Sequence, residues 1–148
     1  MKSEKKDYLK HWRVVRYFVK AKWGLSQADL DMLLFLYSER YFTREKFADY
    51  SKTMHWETKR FHRLMAEGWI DRVRIHTTKR KSLYNLSYKA QRVIFEIYNK
   101  LEGKEPLPET YSNNPIFKQS AGYISRAYRP LVKNMNESIQ QQQRPSLE

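Results

Sequence analysis

The residues whose types and spacing could do chemistry are cations. Between Arg44 and Arg92, thirteen Lys or Arg stand against five Asp or Glu, so +8 of the chain's +13 falls on one internal stretch. Two groups are dense: Lys59, Arg60 and Arg63, then Arg74, Lys79, Arg80 and Lys81, and no acid lies between Arg72 and Arg92. Ammonium and guanidinium groups in this number suit a polyanion. They release condensed counterions from phosphates, and on a helix they can bring donors to guanine edges.

No other chemistry has comparable support. Of the four histidines, His11, His55, His62 and His76, the pair His55 and His62 lies seven residues apart, too far for a common ion on one helix. No Cys or carboxylate cluster adds ligands, so no metal site is expected. No nucleophile–base pairing, phosphate loop or paired-carboxylate spacing emerges, and Gly is scarce at four residues; the chain reads as a non-enzyme without a cofactor. Zero Cys excludes disulfides, iron–sulfur clusters and thiolate zinc sites. Lys or Arg interrupts every apolar run near the N-terminus, and no stretch approaches the roughly 18 apolar residues of a membrane span, so a cytoplasmic protein without membrane attachment is expected. With 148 residues and 41% hydrophobic content the chain can bury a modest core. Its charge would oppose compaction by self-repulsion unless an anionic partner used it.

The elements that must position these cations follow from periodicity. From Asp7 to Trp23 apolar residues cover two faces of a helix, Leu9, Trp12, Val15, Val19 and Trp23 on one and Val14, Tyr17, Phe18 and Ala21 on another. Gly24 ends it, and Ser26 with Asp29 three residues on forms a capping box for a central helix with Leu30, Leu33, Leu34 and Tyr37 as its buried stripe. Thr43 is the expected N-cap of a short helix, REKFADYS. A second helix, from about His55, carries Phe61, Leu64 and Met65 and stops at Gly68. Next comes a hairpin: Val73 and Ile75 point one way, Arg72, Arg74 and His76 the other, and Leu83 to Leu86 returns after a loop from Thr77 to Ser82. Ser87 caps a helix over Tyr88 to Leu101. The stretch GKEPLPE is a connector, and the segment beyond it is partly helical, with Pro130 kinking it or starting a second piece. The expected fold class is mainly α with a small β-hairpin: a winged helix-turn-helix with N- and C-terminal dimerisation helices. Its divisions are residues 1–24, 25–102, 103–139 and a disordered tail at 140–148.

From about Leu25 to Leu101 the chain resembles MarR-type transcriptional regulators. LSQADLDMLLFL resembles their second helix, REKFADYSKTMHWETKRFHRLMAEGWIDR their helix-turn-helix, and KRKSLYNLSYKA their wing. The family's Arg-Arg pair corresponds to Lys79 and Arg80, and its Leu-Thr-x-Lys-Gly exit to Leu86, Ser87, Tyr88, Lys89 and Ala90. Thr77 and Thr78 stand where the family carries an acid before that pair. The resemblance implies dimerisation through the terminal helices, here Leu9, Trp12, Val19, Tyr123 and Tyr128. It also implies a small aromatic or anionic effector, although no effector can be named and the eleven Tyr can equally be core.

In a winged-helix docking on double-stranded DNA, the expected contact residues are Thr43 and Arg44 at one helix start, His55, Trp56, Lys59, Arg60 and Arg63 on the reading helix, and Arg74, Thr78, Lys79, Arg80 and Lys81 on the wing. Thr43 would mark backbone N–H groups that face a phosphate. Plainer readings stand beside these. Arg63 and Arg92 can pair with Glu67 and Glu96 four residues on, and Trp56 can pack over the apolar seam instead of touching a thymine methyl. The function expected is that of a sequence-specific DNA-binding regulator, a homodimeric repressor. The alternatives are a winged nucleic-acid module in replication, packaging or RNA handling, or a basic protein-interaction adaptor.

Overall fold

The computed structural model of the chain describes residues 8–53, 58–75 and 77–143. Its elements run α1 (Tyr8–Trp23), α2 (Gln27–Glu39), β1 (Tyr41–Phe42), α3 (Arg44–Ser51), α4 (Thr58–Ala66), β2 (Ile70–Arg74), β3 (Leu83–Leu86), α5 (Tyr88–Leu101), a 3-10 turn (Pro115–Phe117) and α6 (Tyr123–Gln143). The chain is thus mostly helical with one small antiparallel sheet, in winged helix-turn-helix order. It forms two compact units. One is Leu25–Phe95; the other joins Met1–Gly24 to Glu96–Glu148. The boundary falls inside α5, whereas the sequence reading placed it after that helix.

In the winged unit the helix ends follow from local chemistry. Ser26 Oγ accepts from the Asp29 N–H at 3.1 Å and Thr43 Oγ1 from the Lys46 N–H at 3.3 Å, each satisfying a donor that the first helical turn leaves open. Gly68, at φ 83°, ends α4: its N–H bonds to Met65 O at 3.0 Å and the Trp69 N–H to Leu64 O at 2.8 Å. This pairing needs a left-handed residue, which Gly supplies without a Cβ clash. Ser87 Oγ then accepts from the Ala90 N–H at 3.2 Å to open α5.

The sheet order is β1-β3-β2. The sequence reading expected a two-stranded hairpin; β1 adds a third strand, pairing Tyr41 with Asn85 and Phe42 with Tyr84. Only those two residues take part, too few to leave a periodic signal. The sheet contributes Phe42, Ile70, Tyr84 and Leu86 to a core that also holds Leu30, Met32, Leu33, Leu36, Phe47, Leu64, Trp69, Val93 and Ile94. Phe61 sits edge-on to both Phe47 and Tyr84 with ring centroids 5.0 Å apart, the arrangement that aromatic quadrupoles favour. Leu34 and Tyr37 of the expected stripe are half-buried, and Met32 and Leu36 take the inner positions.

The hairpin corrects another expectation. Arg72 pairs with Tyr84 and Arg74 with Leu83, so Val73 is the extra residue of a bulge. The bulge breaks the alternation of faces. Val73 and Ile75 are accordingly exposed, while Arg74 is half-buried.

In the terminal unit, α1 buries His11, Val14, Val15, Phe18 and Val19. Tyr17 stacks on Tyr128 of α6 with centroids 4.0 Å apart, and its hydroxyl lies 2.7 Å from Ser125 Oγ. The connector is fixed by side chains: Asn136 accepts from the Leu107 N–H and donates to Leu107 O, both at 2.9 Å, and Arg129 donates to Ile116 O at 2.8 Å and Lys118 O at 2.7 Å. Helix α6 continues through Pro130 and includes Gln140 to Gln143, where the sequence reading expected a disordered tail. Gln is a good helix former, and a helix already established extends readily.

Candidate nucleic-acid interface

The start of α3, the face of α4 and the wing are joined by side-chain contacts. Arg44 is exposed, its guanidinium 2.9 Å from His62 Nε2 and 5.0 Å above the Phe61 ring. Arg carries only donors, so His62 Nε2 is the acceptor. Glu45 meets Lys81 Nζ at 3.3 Å, and Lys81 O accepts from Arg74 Nε and Nη2 at 3.3 and 3.2 Å. A continuous path therefore runs from Arg74 and Lys81 on the wing through Glu45 and Arg44 of α3 to His62 of α4.

The wing tip is a closed turn. The Thr77 N–H donates to Arg80 O at 2.8 Å, and Thr77 Oγ1 accepts from the Arg80 N–H at 3.1 Å. Thr78, Lys79, Arg80 and Lys81 are all exposed around it. Thr77 holds the tip through its hydroxyl.

At the start of α3 the structure differs from the simple anion site expected there. Thr43 uses its hydroxyl on Lys46, and the Glu45 carboxyl is held below its ordinary range, first by its own backbone N–H and then by Lys81. A phosphate arriving at this helix end meets a carboxylate.

The cations of α4 do not behave alike. Lys59 is exposed. Arg60 is only 8% exposed, its Nε donating to Asp29 Oδ1 at 3.0 Å, which corrects its assignment as a base-reading residue. Arg63 grips the same carboxylate with both terminal nitrogens, Nη1 to Oδ2 at 2.9 Å and Nη2 to Oδ1 at 2.8 Å, and has Glu67 Oε1 at 3.8 Å. Its side chain keeps 40% of its exposure, so it lies half in this clamp and half on the surface. His55 and Trp56 lie outside the described residues.

Asp29 is a residue whose part in placing these cations sequence reasoning missed. It was seen only as the third position of a capping box, yet it is 2% exposed and takes two cations from a helix about thirty positions later. Burial alone would raise its pKa. The Arg63 hydrogen bonds and charge, with Ser26 and Arg60, outweigh that and leave the carboxyl below its ordinary value. The available signal was an acid on an otherwise apolar face of α2. His62 was missed as well; it lies three residues after Lys59, on the same helical face.

Two cations near this surface are structural. Lys89 lies 4.0 Å above the Trp69 ring and donates to Glu67 O at 3.1 Å. Arg92 lies 5.8 Å from the Tyr88 ring centroid, and Glu96 is instead paired with Lys22 at 2.9 Å and Lys100 at 3.8 Å. A half-open cavity of about 540 Å³ also lies in the winged unit, lined by residues that include Tyr37, Arg40, Tyr41 and Asn85. Arg40 closes α2 at φ 64° and ψ −80°. Among the described residues there is no group of three or more His, Cys, Asp or Glu placed to hold a metal, and no helix long and apolar enough to cross a membrane.

Among solved structures, the chain is similar to the reduced form of MarR from E. coli, with 18% identity over 66% of this chain and 74% of that chain and a TM-score of 0.45. It is also similar to reduced AbfR bound to DNA, with 20% identity over 86% of this chain and 88% of that chain and a TM-score of 0.43. No family model and no curated protein matches the sequence.

Proposed function

We propose that this chain is a sequence-specific, double-stranded DNA-binding transcriptional regulator that acts as a homodimer, most simply a repressor that occludes a promoter. Helix α4 enters the major groove with Lys59 and His62 outward, Arg44 approaches the backbone, and Lys79, Arg80 and Lys81 lie along the neighbouring phosphates or minor groove. The observation that carries this reading is the contact path from Arg74 and Lys81 through Glu45 and Arg44 to His62, which joins cations of the wing and of α3 to the exposed face of α4. Arg63 is a conditional member, because a phosphate must compete for it with Asp29.

For dimerisation the support is the outward apolar side of α6. Tyr123 is 79%, Ile124 62% and Leu131 42% exposed, and Leu9 of α1 is exposed as well. Two of the residues expected at the dimer contact are occupied within the chain. Val19 is fully buried, and Tyr128 is half-buried in its stack on Tyr17. Leu9 and Tyr123 remain available, and Trp12 is half-buried. A two-fold dimer would place two α4 helices against half-sites about one DNA turn apart.

A second reading, a winged module that binds duplex without choosing sequence, is favoured by one observation: withdrawal of Arg60 removes a bidentate donor from α4. Selection of bound sequences from a random duplex pool separates the two. Enrichment of a pseudo-palindrome supports the regulator; retention of duplex with no enriched sequence supports the module; and failure to retain duplex at low salt refutes both.

A further inference from the structure

The clamp between α2 and α4 holds its two arginines unequally. Arg60 is buried with Asp29 and reaches it through Nε at 3.0 Å. Arg63 gives the same carboxylate both terminal nitrogens, at 2.8 and 2.9 Å, yet its side chain keeps 40% of its exposure, with Lys59 one turn before it on the same face of α4. The arginine with two bonds to Asp29 is therefore the one that solvent reaches.

The charges of the cluster make Arg63 its removable member. With both arginines, one negative charge faces two positive charges; without Arg63, Asp29 and Arg60 remain as a neutral, hydrogen-bonded pair. Its departure leaves no bare buried charge, which is what makes a buried ion pair costly to break. Glu67 Oε1, 3.8 Å from Nη1 and exposed, adds only a weak surface hold. A carboxylate and a phosphodiester also offer a guanidinium the same partner, two anionic oxygens that its fork can bridge. Asp29 is in this respect an internal stand-in for a phosphate.

We infer that Arg63 is a latch: it is held on Asp29 in the free protein and is transferred on duplex binding to a backbone phosphate beside α4, while Asp29 stays with Arg60. This inference rests on the DNA-binding reading above and adds a regulation of that same site. Because a phosphate must replace Asp29, an encounter that leaves α4 short of the backbone gains nothing from Arg63, and affinity for duplex is lower than it would be with this cation unheld.

The test is the salt dependence of affinity of the full chain for a random-sequence duplex of about four helical turns, ~40 base pairs, with the folding of each variant checked by its thermal midpoint. Arg63→Gln is expected to lower the log-log slope by about 0.9 for each copy bound, about 1.8 for a homodimer, because each copy loses one phosphate contact. Asp29→Asn neutralises the competing anion and is expected to tighten binding several-fold at fixed salt with the slope retained. In the Arg63→Gln background the same change is expected to have no effect, since it acts through Arg63. The inference is overturned if Arg63→Gln leaves the slope intact while Lys79→Gln with Arg80→Gln lowers it; Arg63 then stays on Asp29 in the complex, and the winged-unit reading survives. It is also overturned if Asp29→Asn does not tighten binding, or tightens it equally without Arg63, which would be the general effect of one acid fewer. If neither Arg63→Gln nor the wing pair moves the slope, DNA binding itself fails and the latch fails with it. Should Asp29→Asn not fold, the comparison of Arg63→Gln with the wing pair decides.

Discussion

Asp29 accepts both terminal nitrogens of Arg63, at 2.8 and 2.9 Å, while its Oδ1 also accepts Arg60 Nε at 3.0 Å. One buried acid near the start of α2 therefore holds two of the three cations of α4, and it fixes which part of that helix can face a ligand. Asp29→Ala would leave Arg60 charged and buried without its partner. The expected cost is about 3–5 kcal/mol, read as a lower denaturant midpoint, because an uncompensated buried charge is among the more damaging single changes.

The same clamp gives stability a pH dependence of defined sign. The folded Asp29 carboxyl lies below its ordinary value, so its contribution is fully present above the unfolded pKa of about 3.9 and is lost as pH falls through the lower folded value. Acid unfolding of Asp29→Asn should therefore lack this part of the acid limb. A wild-type and variant stability difference that stayed constant from neutral pH down through that window would contradict the assignment.

The two classes of cation should separate by experiment. Lys79→Gln with Arg80→Gln, at the exposed wing tip, is expected to weaken duplex binding uniformly across sequences and to lower the salt slope by about 1.8 for each copy bound, about 3.6 for a homodimer, with no loss of stability. Arg60→Gln should do the reverse, lowering the thermal midpoint while leaving the slope in place. Equal slopes for the wild type and the wing variant would remove the wing from the interface.

Arg40 sits at φ 64° and ψ −80°, where a side chain is strained. Arg40→Gly should relieve about 1–3 kcal/mol of backbone strain, offset by up to ~1 kcal/mol of added unfolded-state freedom. A small rise in thermal midpoint is expected. A fall would show that the Arg40 side chain contributes more than its backbone costs.

The exposed side of α6 can be tested apart from the core. Ile124→Glu with Leu131→Glu should convert a dimer to a monomer in sedimentation without unfolding the chain, whereas Val19→Ala, at a fully buried site, should cost about 2 kcal/mol. Unaltered mass in the double variant would place the dimer contact elsewhere.

Much of the fold was legible because it is set locally. Ser26, Thr43 and Ser87 cap their helices as their types and positions require, Gly68 takes the left-handed conformation that ends α4, and Tyr88 to Leu101 is helical throughout. Each depends on residues within a turn or two of sequence. Strand β1 left no such trace, because two residues become a strand only when β3 offers its edge. Val73 and Ile75 followed a period of two that the bulge interrupts.

By itself the sequence determined where the charge lies and where most of the helices begin. It could not determine which cations face outward. Lys59, Arg60 and Arg63 are alike as residues on one helix, and only the tertiary structure sorted them, by setting a carboxylate about thirty positions away against two of the three. Helical periodicity places side chains relative to their own axis; whether a charge meets water, a phosphate or a buried acid depends on what another segment brings to that axis, and this is a property of packing.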